Sequence, residues 1–125
     1  MDRKILTFVN TLESYKTAIK NLHWSSKNMS EHKLFDDIAD TVADFQDEVS
    51  EIEQGLHGQI KNNQLRPKRY QIKNSTQFLN DVIKETNAFY KTIGGKEYIG
   101  MRSVVETFLG DMDKYKYLLS LCFRP

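Results

Sequence analysis

The chain has 125 residues, a formal net charge of +1 and 39% hydrophobic residues. That length suits one domain able to bury its own core, and the near-neutral balance gives no case for a surface that seeks nucleic acid or membrane at large. A single cysteine, Cys122, excludes an intrachain disulfide framework, and no apolar run is long enough to span a bilayer.

The opening MDRKILTFVN lacks the long apolar stretch of a secretory signal. With Arg and Pro at the last two positions, Cys122 does not sit in a prenylation signal. A cytoplasmic location is therefore expected. Ile5, Phe8, Val9, Leu12, Tyr15, Ile19 and Leu22 recur at the 3–4 spacing of an amphipathic helix and predict a first helix over 3–24. Asn28 to Ser30 read as a short turn, with Ser30 as the N-cap of a second helix. That helix carries Leu34, Ile38, Val42, Phe45, Val49, Ile52 and Leu56 as its apolar stripe, and Gly55 and Gly58 mark its end. Residues 58–73 (GQIKNNQLRPKRYQIK) have no clear period and read as a long connection. Asn74 or Ser75 caps a third helix with the stripe Phe78, Leu79, Val82, Ile83, Phe89, Tyr90 and Ile93, stopped by Gly94-Gly95. A fourth helix follows through Ile99, Val104, Val105, Phe108, Leu109, Met112, Tyr115, Leu119 and Cys122. No strand-like alternation occurs. The prediction is one all-α domain over 1–125. Short first and third links make two antiparallel hairpins, and the long second link allows the helix 2–3 crossover of a ferritin-like four-helix bundle.

Helix 2 is unusually acidic. It holds Glu31, Asp36, Asp37, Asp40, Asp44, Asp47, Glu48, Glu51 and Glu53 against one basic residue, Lys33. Asp36–Asp40, Asp40–Asp44, Asp44–Glu48 and Asp47–Glu51 are all i,i+4 pairs, which together cost the helix about 1–2 kcal/mol. With His32 as origin, Asp36 falls near ~40°, Asp47 near ~60° and Glu51 near ~100° on the helical wheel, while the apolar stripe centres near ~230°. These four side chains share one strip, almost opposite the core. The strip is either a plain solvated face or part of a site completed by another subunit. His23, at the end of helix 1, can lie beside His32.

HWSSKNMSEHKLFDDI followed by DFQDEVSEIEQ resembles the Dps-like mini-ferritins of the ferritin-like superfamily. The features that carry the resemblance are His23-Trp24, then His32 through Asp36, then Asp47-Glu48-Val49-Ser50-Glu51. The segment FLGDMDKYKYLLSL also looks like that family's last helix. The resemblance implies a homo-oligomeric, dodecameric cage with a di-iron ferroxidase centre at a two-fold interface. One subunit would contribute His23, His32 and Asp36, and its neighbour Asp47 and Glu51. These five residues are then both the metal ligands and the catalytic residues. Fe²⁺ would be oxidised by hydrogen peroxide or dioxygen and stored as ferric mineral, with Asp40, Asp44 and Glu48 helping to nucleate it. Trp24 would stand beside the centre to quench oxidising equivalents; otherwise it packs at the hairpin.

The chain departs from that pattern in three places. The turn between His23 and His32 is a few residues shorter, Lys33 replaces a common glutamate, and no lysine-rich tail precedes helix 1. The last departure argues against DNA binding. Lys61, Arg66, Lys68, Arg69 and Lys73 form a basic stretch that could touch phosphate but reads rather as a solvated loop or a subunit contact; His57 reads as a surface residue and Cys122 as packed. The alternative to an iron oxidase is a non-catalytic helical scaffold or interaction protein, expected if the tight turn separates the two histidines.

Overall fold

The protein is described by a computed structural model covering residues 1–123. It contains α1 (Arg3–Ser25), α2 (Met29–His57), α3 (Ser75–Tyr90), a 3₁₀ turn η1 (Lys96–Tyr98) and α4 (Ile99–Cys122). There is no strand among the described residues. No helix among them is long and apolar enough to cross a membrane.

Each helix forms where its apolar stripe and caps agree. The Asp2 side chain accepts from Lys4 N–H and caps α1; Asn28 accepts from Glu31 N–H and caps α2; Asn74 accepts from Gln77 N–H and caps α3. Asn28, not Ser30, is thus the cap of α2. Its extended backbone (φ −128°, ψ 146°) lets the side chain reach the free amides, whereas Ser30 already lies in the first turn. Gly58 and Gly95 take φ of +95° and +89°, a region that favours glycine, where α2 ends and where η1 begins.

Four phenylalanines thread the core. Phe89 of α3 stacks on Phe8 of α1 at 3.9 Å, Phe8 meets Phe45 of α2 edge-on at 5.9 Å, and Phe45 stacks on Phe108 of α4 at 3.9 Å. One residue from every helix joins this ladder, so its burial ties all four together. A second aromatic group, Tyr15, Tyr70 and Phe78, pins the long connection to α1 and α3.

Hydrogen bonds fix the helix directions. Asp2 N–H donates to Glu53, so α1 starts where α2 ends. Ser75 at the start of α3 bonds Glu31 at the start of α2, and Lys4 Nζ donates to Thr92 O just beyond α3. Asn28 Nδ2 donates to Cys122 O at the end of α4. Helices α1 and α4 therefore run one way, and α2 and α3 the other. Residues 58–74 return along α1, touching it through Asn10 with Gln64 and Arg66 and through Tyr15 with Tyr70. Lys61, Arg66, Lys68, Arg69 and Lys73 on this return are all exposed.

The apolar stripes match the core with two corrections. Leu56 and Ile99 are exposed, while Tyr98 and Met101 are buried. Ile99 opens α4, and at 100° per residue it falls well off the stripe that buries Met101, Val105, Phe108 and Met112. Leu56 lies in the last turn of α2, where the helix ends at His57.

Candidate functional site

The short turn brings His23 and His32 into direct contact. Their rings stack with centroids 3.8 Å apart and planes 19° apart. His23 Nδ1 lies 2.6 Å from His32 O, and His32 Nδ1 lies 2.7 Å from His23 O. A carbonyl oxygen only accepts, so each Nδ1 carries the proton and donates. Neither Nε2 has a partner among the described residues. This is the state a metal-binding histidine needs: one ring nitrogen anchored to a carbonyl, the other presenting its lone pair.

Asp36 lies one turn beyond His32 and is exposed. Asp47 and Glu51 are exposed on the same helix, but Asp47 is eleven residues from Asp36, roughly 16 Å along the axis. Within one chain the histidine half and the Asp47/Glu51 half therefore stay apart. Among the described residues, no group of three or more His, Cys, Asp or Glu could hold a metal ion. The seven carboxylates from Asp36 to Glu51 all face solvent. Trp24 does not pack at the hairpin. It is 71% exposed beside the histidine pair, and Met29, Leu118, Leu121 and Phe123 add further exposed apolar surface. Through the bond from Asn28 to Cys122, the end of α4 reaches the same end of the bundle.

Residues 23–119 match a family described as a family of unknown function, DUF5856. The chain belongs to this family. The match begins at His23 and takes in all five candidate ligands. No curated protein and no solved structure matches the chain.

Two carboxylates of α2 have a different fate from the rest. Glu31 is buried and accepts from Ser75 Oγ at 2.5 Å. Glu53 is fully buried and accepts from Asp2 N–H at 2.7 Å, His57 Nδ1 at 2.9 Å and Tyr98 OH at 3.3 Å. Burial among these acids pushes the Tyr98 phenol up from its ordinary value, with Glu53 and Asp2 adding to the effect. His57 also pairs through Nε2 with Glu97. Counting acids along α2 missed this cluster. The wheel holds the signal, since Glu31 and Glu53 fall near ~260° and ~300°, beside the apolar stripe. Cys122 is half-buried, and burial with Glu31 nearby raises its thiol pKa, which does not suit a reactive cysteine.

Proposed function

We propose that the protein is a Dps-like mini-ferritin: it oxidises Fe²⁺ at a site completed by a second copy of the chain and stores the ferric product inside a homo-oligomeric cage. The observation that carries this reading is the reciprocal histidine pair, which leaves both Nε2 atoms without a partner among the described residues, with Asp36 following one turn along α2. Imidazole and carboxylate donors suit Fe²⁺. The return of residues 58–74 along α1, with α2 and α3 running together, supports a ferritin-like crossover.

The spacing on α2 supports a shared site. His32 and Glu51 are equally far from the midpoint between Asp40 and Ala43, and so are Asp36 and Asp47. A two-fold axis there, with two α2 helices antiparallel, sets His32 of one copy opposite Glu51 of the other, and Asp36 opposite Asp47. Facing aspartates repel unless cations lie between them. In that arrangement His23, His32 and Asp36 hold Fe²⁺ from one side, and Asp47 and Glu51 of the second copy close the other. Two Fe²⁺ give up one electron each, reducing one hydrogen peroxide to two hydroxides. Asp40, Asp44 and Glu48 offer oxygen donors for ferric nuclei.

The test is the native mass of the particle, followed by aerobic addition of Fe²⁺ while ferric absorbance is recorded. An oligomer that oxidises iron faster than buffer is expected; a monomer with no acceleration overturns the reading. A second reading, a non-catalytic scaffold, is favoured by the exposed Trp24, Met29, Leu118, Leu121 and Phe123, which suit a protein contact whether or not iron binds. A large oligomer without iron oxidation selects it.

A further inference from the structure

At the end of the bundle opposite the histidine pair, His57 bridges two carboxylates from different elements. Its Nδ1 bonds Glu53 on its own helix at 2.9 Å, and its Nε2 pairs with Glu97 of η1. A neutral imidazole has one N–H and can donate to one of them; the other carboxylate then faces a lone pair. Only the imidazolium donates to both. We propose that His57 is a proton-operated clip that holds the α3–α4 corner against the base of α2, independently of any iron chemistry.

The surroundings give the clip something to hold. Glu53 is fully buried and also accepts from Asp2 N–H and Tyr98 OH, so the chain start, the end of α2 and η1 converge on it. The charged groups facing His57 are Glu53 from α2 and Glu97 from η1; Asp2 and Lys4 from the start of α1 stand around Glu53 and Tyr98. Lys4 itself is engaged: its Nζ donates to Thr92 O and lies 5.4 Å from the Tyr98 ring centre. Tyr98 lies edge-on to the His57 ring at 6.2 Å. Acids thus outnumber free cations around the imidazole. The hydrogen bond to Glu53 is the largest cause raising the His57 pKa above its ordinary 6.5, with Glu97 adding to it.

The sign of the pH effect follows. A group whose folded pKa is raised stabilises fully below its unfolded value, and that contribution is lost as pH rises through the folded value. The clip is closed below the folded His57 midpoint, while Glu53 and Glu97 are ionised, and opens as pH rises through that midpoint. Arg102, which donates from Nη1 to the carbonyls of Ile93 and Gly95, keeps the turn itself formed while η1 swings free of α2.

The experiment is imidazole NMR titration of the full chain with amide protection factors for residues 96–98. A His57 midpoint above 6.5 is expected, with protection of η1 falling as that midpoint is crossed. In Glu97→Gln the midpoint should drop while the fold persists. In His57→Gln the protection should lose its pH dependence. A wild-type midpoint at or below 6.5 overturns the proposal. So does η1 protection with the same pH profile in wild type and His57→Gln.

Discussion

His23 and His32 hold each other through the main chain: each ring donates from Nδ1 to the other residue's carbonyl, at 2.6 and 2.7 Å, with the rings stacked at 3.8 Å. The last carbonyl groups of α1 normally lack partners, and here the ring of His32 satisfies one of them. The same bonds fix which nitrogen of each ring is protonated.

That assignment is directly measurable. In ¹⁵N-resolved imidazole spectra of the neutral rings, both should show a protonated Nδ1 and an unprotonated Nε2. Zn²⁺, used as a redox-silent probe, should move the Nε2 resonances and leave Nδ1 protonated. His32→Ala should destabilise the fold by about 0.5–1.5 kcal/mol, the worth of a typical hydrogen bond, read from chemical denaturation.

A site divided between two copies predicts complementation. His32→Ala and Asp47→Ala chains should each lose accelerated iron oxidation. Mixed and reassembled, they should recover part of it. In a mixed pair, one shared site carries both substitutions and the other carries neither. A site contained within one chain would give no recovery, and the rate of the mixture would equal that of either parent.

The helices were legible because burial repeats with the helical period, and Phe8, Phe45, Phe89 and Phe108 all lie on the expected stripes. The exceptions lie at the helix ends. Ile99 reads into the stripe as an apolar residue at the start of the helix, yet it falls about 120° from Val105 on the wheel and faces solvent. Ser30 is an ordinary N-cap residue, but Asn28 reaches the free amides first. The sequence placed His23 at the end of helix 1 and His32 near the start of helix 2, where the two can lie side by side. It could not show their bonds to main-chain carbonyls, which depend on how two helix ends meet. Glu31 and Glu53 looked like members of an acidic surface because composition counts charge and ignores direction.

The phenylalanine ladder predicts where stability is concentrated. Phe8 contacts rings on two other helices, so Phe8→Ala removes both a stacked and an edge-on partner. A loss of about 3–5 kcal/mol is expected. Thermal unfolding should remain a single transition at a lower temperature, since all four helices share the ladder.

Two carboxylates of the same helix should behave in opposite ways. Glu53 is fully buried and satisfies three donors, so Glu53→Ala leaves Asp2 N–H, His57 and Tyr98 OH without their acceptor. A loss of about 1–3 kcal/mol is expected, the cost of leaving buried donors without an acceptor. Asp47 is exposed and stands four residues before Glu51, a like-charge pair that costs roughly 0.2–0.5 kcal/mol. In low salt without metal, Asp47→Ala should therefore leave the melting temperature unchanged or raise it slightly, and 0.5 M NaCl should shrink that gain. A plain solvated face and a metal-binding face share this stability result. They separate when iron is added. On a metal-binding face Asp47→Ala abolishes oxidation in a protein that is at least as stable as the wild type, so the loss cannot be assigned to unfolding. Unchanged oxidation in Asp47→Ala would return the strip from Asp36 to Glu51 to the solvent.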